Sequence, residues 1–174
     1  ADRMRESLRH PELIEAGRLM REGKIGLAER VLRPFLQANP DNSAGLRLMA
    51  ELAVKVGRQE DAEKQLRRAV AIEPDYAAAR YELASLLSSQ LKLEESLWEV
   101  EELLARSPDV LEYVKVRGSL LDRLGRNEEA LSAYRDAVAR FPSEASLWMQ
   151  YGHVLRNVGR RSESVTAYRK ALEL

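Results

Sequence analysis

Residues 142–174 read PSEASLWMQYGHVLRNVGRRSESVTAYRKALEL, and this stretch carries the pattern that decides the fold. A proline is followed by two helical stretches that Gly159 separates. Glycine readily adopts the left-handed backbone conformation that ends a helix. Each stretch also carries one small residue, Gly152 or Ser164, at a point where two helices can cross closely. The segment is therefore predicted to form two helices joined by a short turn.

The same pattern recurs upstream with a fixed period. Pro142 is the last of four prolines, with Pro40, Pro74 and Pro108, that follow one another at intervals of 34 residues. A period of this length is typical of a solenoid built from stacked repeats. With each proline at position 32, the predicted repeats are 9–42, 43–76, 77–110, 111–144 and a shortened 145–174.

Small residues at the helix crossing test this frame. The eighth and twentieth positions are small in all five repeats, where they hold Ala16, Ala50, Ala84, Gly118 and Gly152, and Ala28, Ala62, Ser96, Ala130 and Ser164. The turn between the helices holds glycine in every repeat except the third, which has Leu91. We expect first helices near 10–22, 44–56, 78–90, 112–124 and 146–158, and second helices near 26–38, 60–72, 94–106, 128–140 and 162–174.

Polar residues follow the four prolines. Asp41, Asp75, Asp109 and Ser143 come directly after them, and their side-chain oxygens are expected to cap the next helix. Nothing rich in glycine, serine or proline interrupts the series, so residues 1–174 are predicted to form a single domain. Residues 1–8 are expected to be a short N-terminal extension of that domain.

The 34-residue period and the spacing of Trp148, Tyr151 and Gly152 resemble the tetratricopeptide repeat. This resemblance implies an all-α fold, a right-handed α-α superhelix of five helix-turn-helix repeats. It also implies a protein–protein interaction scaffold that binds a peptide or protein segment in its concave groove. Such a chain is not expected to be an enzyme.

Composition narrows the choice of partner. The chain has 28 basic and 28 acidic residues, so no net charge favours nucleic acid or an anionic membrane. It has no cysteine, and His10 and His153 lie four repeats apart, so no metal site is expected. No glycine-rich loop could hold a phosphate, and no apolar run approaches the roughly 20 residues that span a bilayer. We therefore predict no catalytic residue, no cofactor and a cytoplasmic location.

Six positions of each first helix line the groove of tetratricopeptide proteins. Transferred to this sequence, they predict a peptide-binding groove of Arg47, Glu51, Lys55, Tyr81, Glu82, Ser85, Ser88, Ser89, Lys115, Ser119, Asp122, Arg123, Met149, Gln150, His153, Arg156 and Asn157, with the apolar Leu13, Ile14 and Met20 in the first repeat. This mixture suits an extended segment with some negative charge, and the alternative is a solvated wall without a ligand. A clamp for a C-terminal carboxylate is disfavoured, because Lys115, Ser119 and Gln150 stand where that clamp has one lysine and two asparagines.

Residues 147–174 also resemble the last repeat before the catalytic domain in bacterial proteins that fuse tetratricopeptide repeats to a sulfotransferase. The phrase YGHVLRNVGR and the AYR helix carry the likeness. It implies an alternative function, a recruiting or oligomerisation domain of a larger sulfotransferase whose catalytic domain is absent from this chain. The rival hypothesis is a stand-alone scaffold.

The last predicted helix has an apolar stripe of Val165, Tyr168, Ala171 and Leu172. Since the fifth repeat lacks a closing proline, we expect Leu174 to be an artificial or disordered end and the uncapped C-terminal repeat to self-associate. Trp98 occupies a usually polar position of a second helix. It is either a contact residue or partly covered by glutamate side chains, and the sequence leaves that choice open.

Overall fold

The computed structural model describes residues 10–174, and ten α-helices occupy this part of the chain. They are α1 Pro11–Arg21, α2 Ile25–Ala38, α3 Ser43–Lys55, α4 Gln59–Ile72, α5 Ala77–Ser89, α6 Leu93–Arg106, α7 Leu111–Arg123, α8 Asn127–Arg140, α9 Ala145–Asn157 and α10 Arg161–Leu172. Each end lies within two residues of its predicted position, and residues 10–174 contain no strand. The predicted all-α series of helix-turn-helix repeats is therefore confirmed. The predicted extension, residues 1–8, lies outside the described residues.

The chain divides into two compact units, Ala1–Leu86 and Leu87–Leu174. The first contains α1 to α4 and most of α5, and the second contains the end of α5 and α6 to α10. In the first unit, Leu13, Leu19, Leu32 and Leu52 form a buried cluster with Phe35. In the second unit, the fully buried side chains belong to both helices of the repeats: Val100, Leu120, Leu121, Tyr134, Leu147 and Leu155. The prediction of a single domain stays a prediction.

Small residues occupy the helix crossings, as the repeat frame predicts. All ten residues at the eighth and twentieth positions are buried. In the last repeat, the Ser164 hydroxyl donates a 2.8 Å hydrogen bond to the carbonyl of Gly152 on the facing helix. A serine is therefore tolerated at a buried crossing because the facing backbone satisfies its hydroxyl group.

Glycine replaces alanine at the crossing wherever a tyrosine packs against it. A Cβ atom at Gly118 would lie 2.5 Å from the Tyr134 ring, and one at Gly152 would lie 2.6 Å from the Tyr168 ring. The first three repeats have alanine at the glycine position and Leu32, Leu66 or Val100 at the tyrosine position. The two positions therefore compensate for each other in volume within every repeat.

We predict that Gly118→Ala destabilises the chain by about 1–3 kcal/mol, because the buried Tyr134 ring must move to admit the methyl group. The double variant Gly118→Ala/Tyr134→Leu recreates the alanine–leucine pair of Ala50 and Leu66, and it should recover part of the loss. Urea unfolding of the three proteins measures both effects. Equal stability of Gly118→Ala and the parent chain would contradict the packing argument.

The turn inside each repeat ends its first helix in the same way. The backbone N–H of the residue after the turn position donates to a carbonyl five residues earlier, at 2.8–3.0 Å in all five repeats. The turn residue has a positive φ, between 71° and 82° at the four glycines and 62° at Leu91. Leucine rarely adopts this conformation, because its Cβ approaches the following carbonyl. The side chain of Leu91 is 75% exposed, so no burial compensates for the strain.

Leu91→Gly should therefore raise the stability by up to about 1 kcal/mol, since the removal of the strain exceeds the added flexibility of the unfolded chain. Gly57→Leu is the matched reverse change at the second repeat, where φ is 78°, and it should lower the stability by about 1–2 kcal/mol. Thermal and urea unfolding at low protein concentration measure both changes. A loss of stability in Leu91→Gly would show that Leu91 contributes packing that its exposure conceals.

The loops between repeats are held through the carbonyl groups of the four prolines. Arg68 and Arg140 from second helices donate to Pro40 and Pro108, at 3.0 and 2.7 Å. Arg80 and Trp148 from first helices donate to Pro74 and Pro142, at 3.0 and 2.9 Å. The 34-residue period thus includes a repeated hydrogen-bond acceptor, which spacing alone did not indicate.

The predicted caps at Asp41, Asp109 and Ser143 are wrong. The cap position of each helix lies one residue after the predicted cap, at Asn42, Val110 and Glu144. Asn42 alone among these three accepts a cap bond, from the Gly45 amide at 2.8 Å. Asp41 and Asp109 lie beside the loop-binding arginines and pair with Arg68 and Arg140. An acidic residue after the proline therefore anchors a guanidinium group in these two loops.

Candidate functional site

The predicted groove residues all lie on the first helices, and the two units share them. Arg47, Lys55, Tyr81, Glu82 and Ser85 lie on α3 and α5 in the first unit. Lys115, Ser119, Arg123, Met149, Gln150, His153, Arg156 and Asn157 lie on α7 and α9 in the second unit. The apolar part of the prediction is wrong for Leu13 and Met20, which belong to the buried core, whereas Ile14 is 47% exposed.

In the first unit, Arg47 and Glu82 bind each other between two first helices. Arg47 donates to a Glu82 carboxylate oxygen at 2.6 Å and to the Tyr76 hydroxyl at 2.8 Å. Burial raises the pKa of the Glu82 carboxyl, and the charge of Arg47 opposes that shift. Burial also lowers the pKa of Arg47, but Glu82 and Tyr76 outweigh this effect and the net shift is upward. Both predicted ligand-binding residues therefore join α3 to α5.

Arg47→Met should destabilise the chain by about 1–2 kcal/mol at neutral pH, because it leaves a half-buried carboxylate without its cation. The loss should shrink as the pH falls through the pKa of Glu82, since protonation removes the charge that needs a partner. The double variant Arg47→Met/Glu82→Met should regain stability at neutral pH. The matched control is Arg160→Met, whose exposed pair with Glu163 at 2.5 Å is local to the start of α10, and it should cost less than about 0.5 kcal/mol.

Urea unfolding at neutral and acidic pH measures these differences. A loss in Arg47→Met that is independent of pH would show that the arginine acts by packing its methylene groups and not by its charge.

In the second unit, Arg123 and Asn157 also bind the neighbouring first helix. Arg123 donates to the Ser88 carbonyl at 3.0 Å and contacts the Ser88 hydroxyl, at the carboxyl-terminal end of α5, where a cation is favourable. Asn157 donates to Asp122 at 3.3 Å. Lys115 lies 3.7 Å from Glu144, in an exposed pair that contributes little.

These contacts share one spacing that sequence analysis overlooked. The pairs Arg47–Glu82, Ser88–Arg123 and Asp122–Asn157 all join residues 35 positions apart. One repeat plus one residue brings complementary side chains face to face on adjacent first helices. A search for complementary side chains at this spacing would have separated the residues that join repeats from those available to a ligand.

One face of α9 is polar and accessible, and its residues take no part in these pairs. Met149, Gln150, His153 and Arg156 lie on this face at helical spacing, and we call them the α9 face. Met149 is 38% exposed, and Gln150 and Arg156 are exposed. Neither of the latter two side chains has a hydrogen bond or ion pair within residues 10–174. The neighbouring helix α7 contributes the exposed Ser119.

His153 is held in place by the second helix of its own repeat. The Tyr168 hydroxyl lies 3.2 Å from His153 Nδ1, and the two rings meet edge to face with centroids 5.4 Å apart. When Tyr168 donates this bond, the imidazole proton is on Nε2. The half-buried ring is then a fixed hydrogen-bond donor on the α9 face.

Among residues 10–174, no three metal-ligating side chains come together. No helix within that range combines the length and the apolar character that crossing a membrane requires.

Residues 27–151 match the tetratricopeptide repeat-like domain, and residues 145–174 match a single tetratricopeptide repeat. The chain belongs to the tetratricopeptide repeat-like domain family. The predicted fold class is thereby confirmed. Tetratricopeptide repeats typically have no catalytic activity, which agrees with the prediction that this chain is not an enzyme, and they support a role in protein interaction.

Solved structures of MamA share this tetratricopeptide fold. One crystal structure of MamA is 21% identical, with 97% of this chain and 92% of that chain covered and a TM-score of 0.85. MamA from Desulfovibrio magneticus RS-1 is 18% identical, with 94% and 92% covered and a TM-score of 0.84. Identities this low show a shared fold alone. No curated protein matches the chain, and the resemblance to sulfotransferase fusions stays a prediction.

Proposed function

We propose that this tetratricopeptide chain binds an extended segment of a partner protein along its first helices, with the α9 face as the principal contact. The supporting observation is the contrast between the predicted groove residues. Arg47, Glu82, Arg123 and Asn157 are occupied by contacts between repeats, whereas the α9 face is accessible.

The chemistry of the α9 face favours a segment with a carboxylate beside an apolar side chain. Arg156 supplies a cation without an internal partner, and Met149 supplies a flexible apolar contact. Gln150 and the imidazole of His153 can bond the backbone of an extended segment.

Peptides selected from a random displayed library on the immobilised chain should be enriched in aspartate or glutamate next to an aliphatic or aromatic residue. The affinity of a selected peptide, measured by fluorescence anisotropy, should fall at least about tenfold in Arg156→Glu and weaken with added salt. Arg135→Glu is the matched control, since Arg135 is an exposed arginine on α8. Equal loss in both variants, or peptides without acidic residues, would refute this function.

We also propose that copies of the chain associate through α10. Val165 is 48% exposed and Leu172 is 81% exposed, seven residues apart on one side of this helix. Two large apolar side chains in line on a surface helix favour burial against another surface.

A further inference from the structure

An exposed tryptophan on α6 follows a strained, exposed leucine in the turn before that helix. Trp98 is 56% exposed, and Leu91, seven residues earlier, is 75% exposed. Helix α6 begins at Leu93, so Leu91 belongs to the turn and Trp98 to the second turn of the helix. Leu91 holds a backbone conformation that glycine holds in the other four repeats. An apolar side chain is thus kept on the outside at an energetic cost, which points to a contact.

Acidic residues surround Trp98. Helix α6 has five glutamates and one arginine. Glu94 and Glu102 stand four residues before and after Trp98, and Glu95 and Glu101 stand three residues away, so all four flank it. We call Leu91, Trp98 and these glutamates the acidic face.

Nearby arginines neutralise the acidic face incompletely. Arg126 binds Glu129 through two contacts of 2.7 Å and reaches Glu94 at 3.4 Å. Arg117 lies 3.6 Å from Glu101, whose side chain is 48% exposed, and Arg106 lies 2.8 Å from Glu102. Exposed pairs of this kind contribute little, and the five glutamates of α6 outnumber its one arginine, so the face favours a cationic partner.

Helix α10 carries the complementary arrangement. Arg161 and Arg169 stand four residues before and after Val165, and Leu172 continues the apolar line. We call these four residues the basic face. Neither arginine side chain has an ion pair or hydrogen bond with any residue of the range 10–174. Glu163 and Glu173, near the two ends of α10, pair with other cations and not with these two arginines. Glu163 binds Arg160, and Glu173 lies 3.6 Å from Lys170.

We propose that the acidic face of one copy of this chain binds the basic face of a second copy. The inference rests on the self-association proposed above and is independent of peptide binding at the α9 face. On each face, an exposed apolar side chain of a helix, Trp98 or Val165, has charged residues four positions before and after it. Trp98 can therefore lie beside Val165 while the glutamates meet the arginines. Because the two faces are different surfaces, each copy can use both, and assembly continues as a chain or closes as a ring.

Reversal of charge on either face tests the pairing in the 174-residue protein. Arg161→Glu/Arg169→Glu makes both faces acidic, and Glu94→Arg/Glu101→Arg cancels the net negative charge of the acidic face, because Glu95 and Glu102 remain beside the two new arginines. Each variant alone should have a dissociation constant for self-association at least about tenfold higher than that of the parent chain. Sedimentation velocity over a concentration series measures this constant. An equimolar mixture of the two variants should associate again, because each then offers the charge that the other lacks. Association of the parent chain should weaken with added salt.

Arg30→Glu/Lys64→Glu is the matched control, since both are exposed cations of the first unit without an ion pair in residues 10–174, and it should associate as the parent chain does. Circular dichroism confirms that each variant is folded. A parent chain that stays monomeric at its highest soluble concentration overturns the proposed self-association itself. A parent chain that associates while both reversals leave it unchanged, or a mixture that does not recover, overturns the acidic face as the receiving surface.

Discussion

The close crossing of the two helices within a repeat is the constraint on which the rest of this structure depends. Every residue at the crossing is glycine, alanine or serine, and all of them are buried. The chain meets this constraint in two ways. Alanine accompanies leucine or valine in the first three repeats, and glycine accompanies tyrosine in the last two. The constraint concerns the inside of each repeat, so it leaves the outward residues free to vary between repeats.

The outward residues of the first helices have different roles in different repeats. Some outward residues of the first helices join neighbouring repeats, as Arg47 does through Glu82 and Tyr76. Others, such as Gln150 and Arg156, have no such contact in residues 10–174. Residues at the same position of the repeat therefore differ in whether they contact the neighbouring repeat. The contacts between repeats reduce the accessible polar surface of the first helices, while Gln150 and Arg156 on α9 stay exposed.

Charge is balanced over the whole chain but not over its helices. Equal numbers of basic and acidic residues conceal an acidic α6 and a basic α10. Long-range attraction depends on the sum of charges, whereas docking at contact distance depends on their local arrangement. A neutral composition therefore argues against nucleic acid as a partner and leaves open a contact between two oppositely charged helices.

The sequence by itself determined the all-α fold, the ends of the helices to within two residues, and the buried crossings, because the 34-residue period and the small residues report local geometry directly. Leu91 is the exception among the turn glycines in the sequence, and its φ of 62° shows that the backbone, not the residue, decides that turn. Only the tertiary structure decided which groove residues face a neighbour and which face solvent. Asp41 and Asp109 illustrate the reason, since both are plausible caps by position, yet each pairs with an arginine that the fold brings from about 30 residues away. A period records what every repeat must satisfy, whereas contacts between repeats depend on pairs of side chains that no single repeat contains.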